Sequence, residues 1–158
     1  MIFNIIEDTN YKHMVEGQIF EVIEYLLEND EEFSITANIK AVEFEPTIPE
    51  SIANSFPKFT LFTLANYTYE STELTESFIT FETGFGSENF GSQVTIPLYA
   101  IFQIIIDESI LFLNPTATVE KYFNDALDEG KTTDENTDQK SRSMNAFTLN
   151  SKNKKLLD

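Results

Sequence analysis

Three pairs of carboxylates are the residues whose types and spacing come nearest to acid–base chemistry: Glu43 with Glu45, Glu73 with Glu76, and Asp107 with Glu108. General acid–base work needs two carboxylates in contrasting environments, one of them commonly buried. All three pairs stand in polar, turn-like stretches, which reads as solvated surface charge. His13 is the single histidine and the chain has no cysteine, so a catalytic triad or a zinc centre would rest on one side chain. His13 is expected on a helix surface or at a dimer contact. Gly84-Phe85-Gly86 with Gly91 has the glycine density of a phosphate loop, but no Lys-Ser/Thr follows and Glu88 sits inside it. A hairpin turn fits better. No Asp-x-Asp-x-Asp-Gly spacing marks a calcium loop. The expectation is therefore a chain that is not an enzyme and carries neither metal nor cofactor.

One stretch is more informative than the acids. In Ile79-Thr80-Phe81-Glu82-Thr83-Gly84-Phe85, the side chains of Ile79, Phe81, Thr83 and Phe85 share one face, and Phe78, Thr80 and Glu82 share the other. Large aromatics beside Thr83 and Gly84 could form ridges and a trough suited to an extended peptide. An ordinary core strand would give the same alternation.

The elements around that stretch read as mainly β with an amino-terminal helix. A helical stripe runs from Tyr11 to Leu27, with Thr9 or Asn10 as candidate caps. Gly17 within it costs about 1 kcal/mol against Ala, which points to something packing closely there. Phe33, Ile35, Ala37 and Ile39 alternate as a half-buried strand, and Pro49-Glu50-Ser51 starts a short helical turn. Phe59 to Tyr69 reads as one long strand and Phe78 to Phe85 as another. The glycines then bound a hairpin loop leading to Gln93–Ile96. Pro97 opens a short helical piece, Ile110–Leu113 is a last strand, and Val119 to Leu127 a small amphipathic helix. One helix and about five strands predict an α+β domain, a small barrel or sandwich with a helix packed on it.

Length and charge bound the partners. At 158 residues the chain is one domain with room for a tail, and 41 % apolar content with 15 Phe is ample for a core. Residues 1–128 hold 22 acidic residues against 4 basic ones, which disfavours nucleic acid and anionic membrane as partners. Residues 129–141 are mostly Thr, Asp, Asn and other polar types, and are expected to be a flexible linker. Basic and apolar residues return together in 142–158, where Ala146, Phe147 and Leu149 stand near Lys152, Lys154 and Lys155. The first residues lack the basic start of a secretory signal, and no apolar run is long enough to span a bilayer. A cytoplasmic setting is expected.

The order of several short motifs resembles a known family. Phe56-Pro57 leads into a strand, followed by Leu74-Thr75-Glu76-Ser77-Phe78 and by Ile79 to Gly86, where that family has an apolar strand ending in Phe-Gly-Gly. Ile96-Pro97-Leu98-Tyr99-Ala100-Ile101 falls where it has Val-Pro-Phe/Leu-x-Ala-Ile/Val, and Ser143-Met144-Asn145-Ala146-Phe147 is similar to its Ser-Leu-Asp-Ala-Phe ending. The family is stringent starvation protein B (SspB), whose adaptors deliver substrates to the ClpXP protease, and the likeness is to its alphaproteobacterial-type branch. This chain departs from the pattern at Ser87, in a longer Ser87–Ser92 loop, at Gly84 where other branches carry Arg, and in an extended ending.

The resemblance implies an Sm-like, SH3-like small β-barrel dimerising through its amino-terminal helix. It implies an adaptor that holds ssrA-type degradation tags in a groove lined by Tyr67, Phe81, Thr83 and Phe85. It also implies a tail that docks on the amino-terminal domain of the ClpX unfoldase, through Asn145, Ala146, Phe147, Leu149, Lys152, Lys154 and Lys155. The competing class is an Sm-type RNA-binding barrel, which would need a basic, aromatic-bearing face.

Overall fold

The structure is a computed structural model that describes residues 4–124. The Asp8 side chain accepts a hydrogen bond from the Tyr11 N–H at 3.0 Å and so caps helix α1, Thr9–Glu28. The cap is one residue earlier than the sequence suggests, because Asp8 rather than Thr9 holds the extended conformation that aims a side chain at the first turn. Val15, Ile19, Ile23 and Leu26 bury one face of α1. The helix ends where Asn29 bonds back to the Tyr25 carbonyl and Asp30 turns to a φ of 55°. Gly17 lies on the opposite face with open space around it, so within the chain nothing packs there.

Eight strands follow, in two antiparallel sheets. The first sheet has the order β3 (Phe59–Leu64), β1 (Phe33–Asn38), β7 (Ile101–Ile106), β8 (Ser109–Leu113). The second has the order β2 (Glu43–Glu45), β6 (Phe90–Pro97), β5 (Phe78–Phe85), β4 (Glu73–Leu74). Two short helices, α2 (Glu50–Ala53) and α3 (Asn66–Glu70), bracket β3 along the chain. Phe62 on β3 meets Phe81 on β5 edge to face, with ring centroids 5.7 Å apart, so the two sheets share a core. Ile35, Leu64, Ile79, Ile96, Leu98, Ile101 and Ile104 are fully buried in it.

The α+β class and the helix-then-strands order are as the sequence predicts. Hydrogen-bonded ladders among the described residues leave β3, β8, β2 and β4 as sheet edges and do not close into a barrel. Eight strands stand among the described residues where the sequence predicts about five, with β4 added and β6 longer than Gln93–Ile96, and further elements correct the sequence reading. The expected long strand Phe59 to Tyr69 stops at Leu64, because Asn66 adopts a φ of 54° and its N–H donates to Glu32 Oε2 at 2.9 Å, starting α3. Glu43–Glu45 is a strand, not a turn, and Ile101–Ile106 adds a central strand that period-two reasoning does not find. The first compact unit ends at Val119. In the second, residues 120–124 are helical; the linker 129–141 and all the expected tail residues lie outside the described residues.

Candidate functional site

Strand β5 pairs with β6 along its whole length, from Phe78↔Pro97 to Phe85↔Phe90. On its other side β4 covers only Ile79 and Thr80. Beyond Thr80 that side of β5 has no strand partner; the Glu82 N–H is capped instead by Ser71 Oγ at 2.9 Å. A strand side without a strand partner is a template for a further strand.

A cleft of about 580 Å³ opens at this end of the sheet. Tyr67 and Thr68 of α3 line it on one side, and Glu45 and Pro46 at the end of β2 on the other. Glu82, Thr83, Gly84, Gly91, Ser92 and Gln93 come from the β5–β6 hairpin. Gly84 and Gly91 are cross-strand partners, and of the two Gly91 has open space where a Cβ would stand. The hairpin turn needs its special residues: Gly86 has a φ of 76° and Asn89 a φ of 54°. Asn89 also lines the cleft, and its side-chain amide occupies the place a Cβ at Gly84 would take. The glycine density thus belongs to a hairpin, as expected, and not to a phosphate loop.

Two of the four residues expected in a groove line this cleft, Tyr67 and Thr83. Phe81 is 1 % exposed and packs on Phe62, and Phe85 joins Phe44 and Phe56 in a three-ring cluster with centroids 5.5–5.8 Å apart. Neither lines the cleft. By parity Phe81, Thr83 and Phe85 share the core-facing side of β5, and of the three only Thr83 reaches the cleft, while Glu82 faces outward beside it.

The polar groups are arranged for hydrogen bonding. Tyr67 is exposed, and its hydroxyl donates to Glu82 Oε1 at 2.6 Å. That bond and the carboxylate's charge hold the Tyr67 phenol above its ordinary range, so the hydroxyl keeps its proton and stays a donor across physiological pH. Ser92 is buried and donates to the Pro46 carbonyl at 2.8 Å, fixing the end of β2 against β6. Glu45 opposes Gln93, and Gln93 opposes Glu82, so the three share one face across three strands. Reading Glu45 as a solvated turn residue missed this, because only the strand pairing brings it beside Gln93.

Acid–base candidates do not converge. Glu73 starts β4, Asp107 and Glu108 form the β7–β8 turn, and Glu43 and Glu45 are both exposed on one face of β2. His13 is exposed on α1, with Nδ1 3.2 Å from Glu16 Oε1. Among the described residues no cluster of His, Cys, Asp and Glu is placed to hold a metal ion, and no helix is long and apolar enough to cross a membrane. No protein-family model matches the chain, and no curated protein matches it in sequence.

Proposed function

We propose that this chain is a cytoplasmic adaptor of the SspB type, which binds ssrA-type degradation tags as extended peptides in the cleft beside β5 and passes them to ClpXP. The single observation that supports this most is the coincidence of that cleft with the half-unpaired side of β5. An extended peptide there would gain main-chain hydrogen bonds along β5 and side-chain bonds from Tyr67, Gln93 and Thr83. The same reading takes the two sheets as halves of an Sm-like barrel. Supporting it, one short turn carries the chain from β1 of one sheet to β2 of the other, and Leu98–Ala100 carries it from β6 to β7. Residues 142–158 are the proposed docking segment for the ClpX amino-terminal domain, with 129–141 as tether.

The tether reading needs no catalytic group. By random-coil scaling a 13-residue linker spans on the order of 20 Å. Cargo held that way sits at an effective concentration of about a millimolar, which turns weak capture into efficient transfer. A pulldown with tagged and untagged cargo tests the adaptor reading. Tagged cargo should be retained by the full chain and by the chain lacking 140–158, and ClpX only by the full chain. Equal retention of untagged cargo would refute it.

The homodimer belongs to the same proposal, with its contact on the exposed side of α1. Ile19 and Ile23 are fully buried inside the protomer, so they are unavailable to a partner. Met14 and Tyr25 remain exposed on α1, on the side where Gly17 is open. Gly17→Ala discriminates between a paired and a free helix face. On a free face it should raise stability by about 1 kcal/mol without changing the molecular mass. Across a close two-fold helix contact, which we propose, it should instead shift light scattering towards the monomer.

A further inference from the structure

We propose that the cleft selects peptides that place a positive charge, a Lys or Arg side chain or a free amine, between Glu45 and Glu82. This deepens the peptide-binding reading of the same cleft and rests on it. Glu45 and Glu82 both line the cleft and flank Gln93 on one face of β2, β6 and β5. With neighbouring strands about 4.8 Å apart, the backbones that carry Glu45 and Glu82 are about 10 Å apart, a span across which a Lys or Arg side chain lying over Gln93 can reach either carboxylate.

No Lys, Arg or His is among the residues lining the cleft. Tyr67 donates to one oxygen of Glu82 and leaves the other for a ligand. Gln93, between the carboxylates, presents an amide that can accept from the same cation. The cleft can therefore neutralise a cation and offers no basic partner to an acidic residue. A Glu or Asp at that point of a peptide would meet two like charges in a cleft that carries no counter-charge. Phe44, Phe56, Phe81 and Phe85 do not line the cleft, which leaves this charge pattern, with the exposed Tyr67 ring, as the strongest discriminating feature of the surface a peptide would touch.

The full chain's formal charge of −17 also attracts cations generally, so the local effect must be separated from the global one. At physiological ionic strength the screening length is about 8 Å, which suppresses the distant charges and preserves contacts within the cleft.

Fluorescence anisotropy on the full chain at that ionic strength provides the test. The probes are acetylated, amidated eleven-residue peptides of an ssrA-type sequence in which one Lys, Gln or Glu is stepped along the chain. At one position the Lys peptide should bind about tenfold tighter than its Gln counterpart, and the Glu peptide weaker than both. Combining Glu45→Gln with Glu82→Gln should bring the three within about twofold of one another, because Gln keeps the acceptor for Tyr67 and removes only the charge. If Lys and Gln peptides bind equally at every position, the charge preference is wrong and the peptide cleft stands. If the Lys preference survives in the double variant, it comes from the overall field and the inference is overturned. If no peptide binds at 100-fold excess over any plausible working concentration, on the order of a millimolar, both the inference and the peptide-binding reading fall.

Discussion

Asn114→Ala is expected to destabilise the protein by about 3–5 kcal/mol, a large share of the total stability of a domain this size. Asn114 is fully buried, and its side chain joins three segments. Its Nδ2 donates to the Tyr99 carbonyl at 3.0 Å and to the Ile101 carbonyl at 2.8 Å, and its Oδ1 accepts from the Thr116 N–H at 2.8 Å. Alanine would leave two carbonyls and one N–H short of a partner where water does not reach, and each such group costs roughly 1–3 kcal/mol. The urea midpoint should fall with no change in slope. A midpoint within about 0.5 kcal/mol of the parent's stability would show that these bonds are replaced rather than lost. Asn114 is not among the residues that line the cleft, so at temperatures where the variant is folded its peptide affinity should match the parent's.

The largest functional effect is expected from the carboxyl-terminal segment. Residues 139–158 hold five basic residues and one acidic, against the strongly acidic residues 1–128, and Ala146, Phe147 and Leu149 stand among them. A segment that binds a partner on demand needs apolar side chains to bury and charge to steer it. Deleting 140–158 should leave tag affinity and melting temperature unchanged and abolish the acceleration of tagged-cargo degradation by ClpXP. Phe147→Ala alone should lose much of it, since burying a Phe side chain is worth roughly 1.5–3 kcal/mol. Undiminished acceleration by the truncated chain at sub-micromolar concentration would reject the tether.

Legibility in the sequence followed the strength of local periodicity. The stripe of α1 and the alternation of β5 were readable, and β5 has the limits the alternation predicts, Phe78–Phe85. Strand β7 was not readable because it lies between β1 and β8, and its run Ile-Phe-Gln-Ile-Ile-Ile lacks a polar partner at every second position. The end of β3 was hidden for a different reason. Tyr67, Thr68 and Tyr69 favour strands, but the left-handed Asn66 and its bond to Glu32, 34 residues earlier, turn them into α3. That turn is what delivers Tyr67 to the cleft.

The site was half legible. Thr83 and Tyr67 came from the residues and the resemblance, and both line the cleft. Glu45, Glu82 and Gln93 were missed because their meeting depends on the register of β2, β6 and β5, which no local pattern encodes. The role of Asn114 in the fold rests on bonds to carbonyls 13 and 15 residues back, which no local pattern encodes.

The central claim is that the cleft beside β5 holds the tag, and Thr83→Gln tests it most directly. Thr83 lines the cleft, is half-buried and shares its side of β5 with Phe81 and Phe85, so a longer polar side chain there should obstruct the cleft. Tag affinity measured by fluorescence anisotropy is expected to fall at least about tenfold, equivalent to 1.4 kcal/mol, in a chain whose thermal melt shows it folded. Unchanged affinity in a folded Thr83→Gln chain would contradict the account.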